Sequence, residues 1–278
     1  MARHGFVYGF VFGIAALVLA ACSDAPDATG PEPPLPDPTC EGFYGAPNES
    51  TGLSGDVCFP RIEGEETWEP RAWDEASLAE LRSWVLENPP GILTEDPYLA
   101  TLGLRPDESA ACAVIVTGER TYRLETFPSA GAAERAGGIV THGIGCGACS
   151  ALTDLAAYVE TPDQTAPVRQ CTIDNLGRTV EDLAACIRAA VGFSPPCARI
   201  WAYNALNDSR ECLDVCLAEL DSPYNRQDGS LNPCLQCDED VSGPVFKALA
   251  GRTRRSSGLP AAICRPCELV WRVNRRAG

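Results

Sequence analysis

The residues best suited to chemistry lie near the middle of the chain, in the segment His142-Gly-Ile-Gly-Cys146-Gly-Ala-Cys149. A helix is predicted directly after it, because apolar residues recur at helical spacing over 150–160. The positive end of a helix dipole stabilises a thiolate and so lowers the pKa of a nearby cysteine. The spacing therefore indicates a reactive pair of thiols, with His142 as a neighbouring base.

Two known kinds of active site resemble this segment. A Cys146-x-x-Cys149 pair between a strand and a helix resembles the active site of thioredoxin, which implies thiol–disulfide exchange. Together with Ser150, the segment also resembles the nucleophile region of papain-like proteases, which implies that Cys149 attacks while Cys146 is disulfide-bonded. The general base of such proteases is a histidine far downstream, whereas this chain has only His4 and His142. A thioredoxin-like exchange and a Cys149–His142 dyad are therefore the two catalytic alternatives.

Three Cys-x-x-Cys pairs also have the spacing of zinc half-sites, namely Cys146–Cys149, Cys234–Cys237 and Cys264–Cys267, and His142 could add a ligand. An oxidising compartment favours disulfides over metal thiolates. None of the pairs is followed by the histidine of a haem attachment motif. Because the N-terminus indicates export, we expect no metal and no cofactor.

The N-terminus carries the signal for export. Arg3 and His4 precede an apolar run that begins at Phe6 and closes with Leu-Ala-Ala-Cys22. A charged start, a short apolar stretch and a small-residue exit are typical of an export signal and not of a transmembrane helix. The segment resembles a bacterial lipoprotein signal, which implies cleavage before Cys22 and lipid on its sulfur and amine. Ser23, where an aspartate would favour the inner membrane, favours the outer membrane by the same resemblance.

These features divide the chain into three parts. Residues 1–21 are the predicted signal peptide. Residues 22–39 are an acidic, proline-rich tether that cannot bury enough apolar surface to fold. Residues 40–278 are the predicted globular domain, with a sub-boundary near residue 128. Lipid on Cys22 would hold this domain at a membrane of the bacterial cell envelope, in the periplasm or at the surface.

Cysteine content agrees with export. The chain has 15 cysteines, so 14 remain beside the lipidated one, which suffices for seven disulfides. Cys40 and Cys58 flank a loop rich in small residues and are predicted to pair. Cys212 and Cys216 share one helical face four residues apart, so we expect them to bond to neighbouring helices instead of to each other.

Periodicity and turn residues predict an α+β fold, with a small β-hairpin layer packed on a mostly helical, disulfide-rich half. The hairpin is predicted over 111–116 and 121–127. Capping residues and apolar spacing set the remaining boundaries. Helices are predicted over 74–88, 128–135, 150–160, 180–191, 195–206, 210–220 and 232–250, and a short strand over 138–141.

Charge is distributed unevenly along the chain. The formal net charge of −16 disfavours nucleic acid or anionic lipid as a general partner. Residues 246–278, in contrast, contain eight basic residues and one acidic residue. Arg252, Arg254 and Arg255 follow a predicted helix, whose C-terminal dipole stabilises cations, and their guanidinium groups could hold a carboxylate or phosphate. Pairing with acids of the same domain is the alternative for these cations.

The sequence therefore predicts an exported, lipid-anchored envelope lipoprotein with a non-catalytic binding or structural domain. Its expected partners are the membrane, through lipid on Cys22, and an anionic small ligand or envelope protein. We expect no nucleic acid partner. The alternative function is a thiol–disulfide oxidoreductase that uses Cys146 and Cys149. No characterised family is recognised in the domain itself.

Overall fold

A computed structural model describes residues 43–44, 73–99, 103–259, 261–266 and 271 of the 278-residue chain. The predicted signal peptide, the predicted lipidation site Cys22, the predicted tether and the predicted Cys40–Cys58 bridge lie outside the described residues. The strands are β1 (Phe43–Tyr44), β2 (Val85–Leu86), β3 (Ala111–Val116), β4 (Thr121–Phe127), β5 (Ile139–Gly143) and β6 (Arg265–Pro266). The helices are α1 (Glu75–Ser83), α2 (Ala130–Arg135), α3 (Leu152–Glu160), α4 (Thr165–Asp174), α5 (Val180–Val191), α6 (Pro195–Glu211), α7 (Leu213–Ala218), α8 (Pro233–Val241) and α9 (Gly243–Ala250), followed by a 3-10 turn (Arg255–Ser257).

Four strands form a mixed sheet in the order β2-β4-β3-β5. β3 and β4 pair antiparallel, with Ala111 opposite Phe127 and Val116 opposite Tyr122, which confirms the predicted hairpin. β5 adds to the other edge of β3, with a bulge after Cys112, and β2 runs parallel to β4. β1 and β6 form a separate antiparallel pair. Residues of β3 are β-branched or small and mostly buried, as a central strand requires.

The first helix begins where the sequence predicts and ends earlier. Asp74 caps α1, because its carboxylate accepts a hydrogen bond from the Ser77 backbone N–H at 2.8 Å. The prediction that this helix continues to residue 88 was wrong. Val85 and Leu86 instead extend along β4, since strand pairing there satisfies backbone groups that a longer helix would otherwise satisfy.

Helix boundaries in the second half follow local signals only in part. Thr179 and Asp182 form a capping box at the start of α5, and Gly192 ends it at a φ of 87°, as predicted. The predicted continuous helix over 232–250 was wrong, because α8 and α9 meet at Ser242. Pro244 in the first turn of α9 has no backbone N–H and favours a new helix start there.

Two further differences concern the helical half. The predicted helix over 210–220 was wrong at its start, since α6 runs to Glu211 and α7 begins only at Leu213. The helix α4 was not predicted, although Pro167 lies in its first turn, where proline is tolerated. No helix of the described chain is both long and apolar enough to cross a bilayer.

One face of the sheet packs on the helical half. Tyr122 and Leu124 of β4 share a core with Leu155 of α3 and Ile187 of α5. The opposite face packs on the short helix α2. A row of aromatic rings continues the core towards α9, with ring centroids 4.8 to 5.8 Å apart. This row consists of Tyr158, Phe193, Trp201 and Phe246. The predicted α+β class, with a small β layer on a helical half, is therefore confirmed.

Disulfides tie the elements together. Each of the eleven cysteines in the described chain, Cys264 included, is disulfide-bonded. Cys212 and Cys216 bond to cysteines of α8, which confirms that they reach a neighbouring helix. The bridges with both partners described are Cys112–Cys146, Cys149–Cys197, Cys171–Cys186, Cys212–Cys237 and Cys216–Cys234.

Candidate functional site

The cysteines predicted as a reactive pair do not bond to each other. Cys146 bonds to Cys112 in β3, and Cys149 bonds to Cys197 in α6. The turn between β5 and α3 is thereby fastened to the sheet on one side and to the helices on the other. Three of these sulfurs belong to fully buried residues, Cys112, Cys149 and Cys197. The structure assigns both bridges a place in the scaffold, and thiol–disulfide exchange stays a prediction.

His142 lies in the same interior region and contacts Ser150. Its Nδ1 is 2.7 Å from the Gly143 carbonyl oxygen, which can only accept, so Nδ1 carries the proton. Its Nε2 then accepts from the Ser150 hydroxyl at 2.9 Å, and that hydroxyl also accepts from the Gly147 N–H. Both His142 and Ser150 are fully buried. The imidazole thus holds the turn in shape from inside the protein.

Arg252 completes this enclosed region, which we call the arginine box. Its side chain is 0% exposed. The guanidinium donates to the carbonyls of Cys149, Thr141 and Ser150 and to the hydroxyls of Thr141 and Ser257, at 3.1 to 3.3 Å. Asp154 is also fully buried, and burial raises its pKa to about 6, although hydrogen bonds from Ser194 and the charge of Arg252 oppose that rise. Arg252 therefore fastens β5, the turn and the 3-10 turn to one another.

Two glycines let these backbones approach closely. A Cβ atom on Gly147 would collide with the Leu249 carbonyl at the end of α9. Gly251, at a φ of 70°, would place a Cβ atom 2.5 Å from the Gly145 carbonyl oxygen. Because of this close approach, the Ala148 N–H donates a hydrogen bond to the Leu249 carbonyl at 2.8 Å. The last carbonyls of α9 are thus satisfied by the turn that carries the predicted dithiol.

Arg254 and Arg255 lie elsewhere, along a cleft. The Arg254 guanidinium donates to the carbonyls of Tyr158 and Thr161, where α3 ends. An Arg255 nitrogen lies 3.7 Å from an oxygen of Glu239. Of the three arginines predicted to bind an anion, the structure thus brings two to one cleft and places Arg252 in the interior, away from it.

The cleft has a volume of about 310 Å³ and lies between α4, α6, α7, α8 and α9. The Cys216–Cys234 bridge forms part of its wall. Trp201 and Phe246 line it with aromatic surface. Large aliphatic side chains that are at least 39% exposed line it as well. They are Ile173, Leu176, Leu213, Leu217 and Leu220, and we call this set the aliphatic rim.

Three cations along the cleft share one carboxylate. Oxygens of Glu239 lie 2.7 Å from Lys247, 2.7 Å from Arg265 and 3.7 Å from Arg255. Burial by itself would raise the pKa of Glu239, but the three cations outweigh burial and lower the pKa to about 2. Glu239 is therefore ionised at any physiological pH. Part of the C-terminal positive charge thus pairs with an acid of its own domain, as the sequence alternative held.

Two carboxyl groups, those of Asp208 and Asp238, share a proton beside this cluster. The Asn204 amide donates to Asp208 at 3.0 Å and to Asp238 at 2.9 Å, and the Ser242 hydroxyl donates to Asp208. Burial, followed by the negative charge of Asp238, raises the pKa of Asp208 to about 9. Burial also raises the pKa of Asp238. The pair therefore keeps one proton near neutral pH.

The cleft is positively charged within an acidic protein. Five basic side chains line it, against three acidic ones of which two share a proton. The basic residues are Arg169, Lys247, Arg254, Arg255 and Arg265, and the acidic ones are Asp208, Asp238 and Glu239. In the part of the chain that the structure describes, no three His, Cys, Asp or Glu side chains gather as metal ligands.

The only cleft residues that the sequence singled out for anion binding were arginines. The aliphatic rim was missed, because α4 was not predicted and because the spacing of leucines in α7 does not distinguish an exposed face from a buried one. Glu239 and Asp238 were missed too, since they stand in an Asp-Glu-Asp run of the kind found on solvated helix surfaces. The cluster of cations between residues 247 and 265 was the one signal that pointed towards it.

Comparisons with known proteins find one partial family match and no function. A family model described as "Family of unknown function (DUF8771)" matches residues 180–273, about a third of the chain. The matched part is similar to that family from the start of α5 onward and includes Glu239 and its three cations. No curated protein matches the chain. No solved structure matches it either.

Proposed function

We propose that the protein is an exported, lipid-anchored protein of the bacterial cell envelope whose domain binds a ligand without catalysing a reaction. The observation that carries the proposal is the disulfide in the wall of the cleft. Cys216 in α7 and Cys234 in α8 both line the cavity and bond to each other. The site is therefore complete only in the oxidised protein, and oxidised cysteines persist mainly outside the cytosol.

Binding, not catalysis, is supported by where the reactive residue types lie. His142, Cys146 and Cys149 belong to the scaffold around the arginine box and do not line the cleft. The cleft itself offers apolar walls and a few charged groups at a size within the range of small-molecule sites. Such a combination fixes and orients a ligand.

The membrane anchor is proposed from the N-terminal sequence alone. Lipid on Cys22 and the acidic tether would hold the domain close to a membrane, and Ser23 favours the outer membrane. Two acyl signals on one residue give stable anchoring. A protein in this place would meet amphipathic molecules released from the envelope.

Anchoring is tested with the full-length chain in a diderm bacterium. Wild type is expected in the outer-membrane fraction, with the intact mass of a chain that begins at an acylated Cys22. The Cys22→Ser variant should lack that acyl mass, and it should keep its signal segment because the lipoprotein peptidase needs the modified cysteine. A wild-type protein recovered from the cytosol at full length and without lipid would contradict export.

Binding is tested on the complete mature chain secreted without lipid, as residues 23–278 behind an ordinary cleaved signal. A neutral apolar fluorophore such as N-phenyl-1-naphthylamine should bind, and its fluorescence should fall in the Cys216→Ser/Cys234→Ser variant. Cys112→Ala/Cys146→Ala is the matched control, because that bridge lies outside the cleft. Equal loss in both variants at a temperature where both are folded would place the fluorophore elsewhere.

A further inference from the structure

We infer that the cleft binds a molecule with a single alkyl chain and an anionic head group, a carboxylate or a phosphate. The inference rests on the proposed binding function and specifies its ligand. The alkyl chain lies along the aliphatic rim. The head group contacts Arg255 and its neighbour Lys247.

The aliphatic rim is the first observation. Leu176, two residues after the end of α4, is 65% exposed and Leu217 of α7 is 55% exposed, although both line the cleft. Moving a leucine side chain out of water lowers the free energy. A row of exposed leucines beside a cavity therefore marks a surface that an apolar partner covers. The five rim side chains are all aliphatic and lie within α4 and α7 or two residues after their ends, which suits a flexible alkyl chain.

The shared carboxylate is the second observation. Arg255, Lys247 and Arg265 face one carboxylate, Glu239, so positive charge exceeds negative charge within this cluster. The two short ion pairs belong to Lys247 and Arg265, whereas Arg255 stands at 3.7 Å with 24% of its side chain exposed. A guanidinium group binds a carboxylate or phosphate through two parallel hydrogen bonds. Arg255 is the cation best placed to turn towards an incoming anion.

The paired acids make a cationic head group the poorer fit. Asp208 and Asp238 already accept hydrogen bonds from Asn204 and Ser242, and they share a proton. An ammonium group would have to displace that proton while it also faced the surrounding arginines. An anionic head group meets the opposite situation, because the charge of the cluster is lowered when it binds.

The head group is tested by competition against N-phenyl-1-naphthylamine, with the secreted mature chain and ligands below their micellar concentrations. The competitors are dodecanoate, dodecyl phosphate, dodecanol and dodecylamine. An anionic group should strengthen binding over dodecanol by about tenfold or more, the range for a hydrogen bond to a charged group. The better of dodecanoate and dodecyl phosphate tells whether a free carboxylate or a phosphate head group is preferred.

Two variants locate the head group. Arg255→Gln should bring both anions to the affinity of dodecanol and leave dodecanol unchanged. Arg188→Gln is the matched control, since Arg188 is an exposed arginine of α5 outside the cleft, and it should change nothing. If dodecanol equals the anions, or dodecylamine exceeds them, the inference is wrong while the binding function stands. If neither the fluorophore nor any competitor binds, the binding function itself is wrong.

The alkyl chain is tested separately. Dodecanoate should bind more tightly than decanoate by about fourfold for each added methylene that enters the cleft. The Leu176→Ser/Leu217→Ser variant should lose this dependence on chain length. Leu99→Ser/Ile139→Ser is the control, because those side chains are 71% and 59% exposed and lie outside the cleft. Equal affinity for both chain lengths in wild type would overturn the assignment of the rim.

Discussion

Arginines that stand three residues apart in the sequence have opposite surroundings. Arg252 sits in the arginine box, where three carbonyls and two hydroxyls accept its hydrogen bonds and no water reaches it. Arg255 sits at the cleft, where it shares one carboxylate with two other cations. The first cation is fully satisfied by the protein, and the second can still gain from an anion.

An enclosed guanidinium group and a partly exposed one differ in how easily they exchange hydrogen-bond partners. A buried guanidinium cannot exchange its partners without a large loss of free energy, because each abandoned carbonyl would stay buried without a donor. A partly exposed one can exchange them readily, since water or a ligand replaces what is lost. The same residue type therefore holds the fold together in one region and is available for binding in the other.

The largest expected effect comes from replacing Arg252, the cation of the arginine box. Arg252→Met should lower the free energy of unfolding by about 4 kcal/mol, since removal of one partner leaves buried polar groups and Asp154 uncompensated. Arg255→Met should lower it by less than about 1 kcal/mol, the value for a partly exposed ion pair. Urea unfolding of both variants under oxidising conditions measures this difference. If both variants lost a similar free energy of unfolding, the two arginines would not differ in their structural role.

The next effect comes from the bridges of the two regions. Loss of Cys216–Cys234 or of Cys149–Cys197, as paired Cys→Ser variants, should each lower the free energy of unfolding by about 3 kcal/mol. Only the first should also abolish binding of the apolar fluorophore, because only that bridge lies in the cleft wall. Binding that depended on Cys149–Cys197 in a folded variant would move the site towards the sheet.

Glu239→Gln should lower the free energy of unfolding by about as much as the loss of a bridge, about 3 kcal/mol at pH 7. The pKa of Glu239 in the folded protein is about 2, below its ordinary 4.5. Its stabilisation is therefore full above pH 4.5 and is lost as the pH falls from 4.5 to about 2. Unfolding followed across that range should show a weaker acid dependence in the variant. The variant should also bind dodecanoate more tightly, since the competing carboxylate is gone.

The smallest effect, with the opposite dependence on pH, concerns Asp154. Burial raises its pKa to about 6, against the favourable hydrogen bonds from Ser194, so the folded state binds the proton more tightly than the unfolded state. Its contribution to stability therefore decreases as the pH rises from 3.8 to about 6. Asp154→Asn should remove this decrease and raise the free energy of unfolding at pH 7 by about 1 kcal/mol, because weaker hydrogen bonds from Ser194 offset part of the gain. A variant with an unchanged pH profile would show that Asp154 does not titrate there.

Local rules account for the elements that the sequence predicted well. The hairpin of β3 and β4 follows from alternation and a four-residue turn, and α5 follows from Thr179 and Gly192. Where prediction was wrong, another part of the chain competed with the local preference. Val85 and Leu86 form a strand and do not continue the helix α1, because they pair with β4.

The candidate site was less accessible to prediction. Arg254 and Arg255 were found because cations cluster near the C-terminus, but Arg252 was indistinguishable from them in sequence. The aliphatic rim depends on how α4 and α7 are oriented, which periodicity within one helix does not fix. A leucine that faces a core and a leucine that faces an open cleft have the same spacing.

By itself, the sequence determined the α+β class and an abundance of cysteines that indicates oxidation, and it predicts an export leader that ends at Cys22. Only the tertiary structure decided which cysteine bonds to which and which arginine is enclosed. The reason is distance along the chain. Arg252 donates to Thr141, 111 residues away, and Cys149 bonds across 48 residues. Contacts of that range arise from the packing of whole elements and leave no local pattern in the sequence.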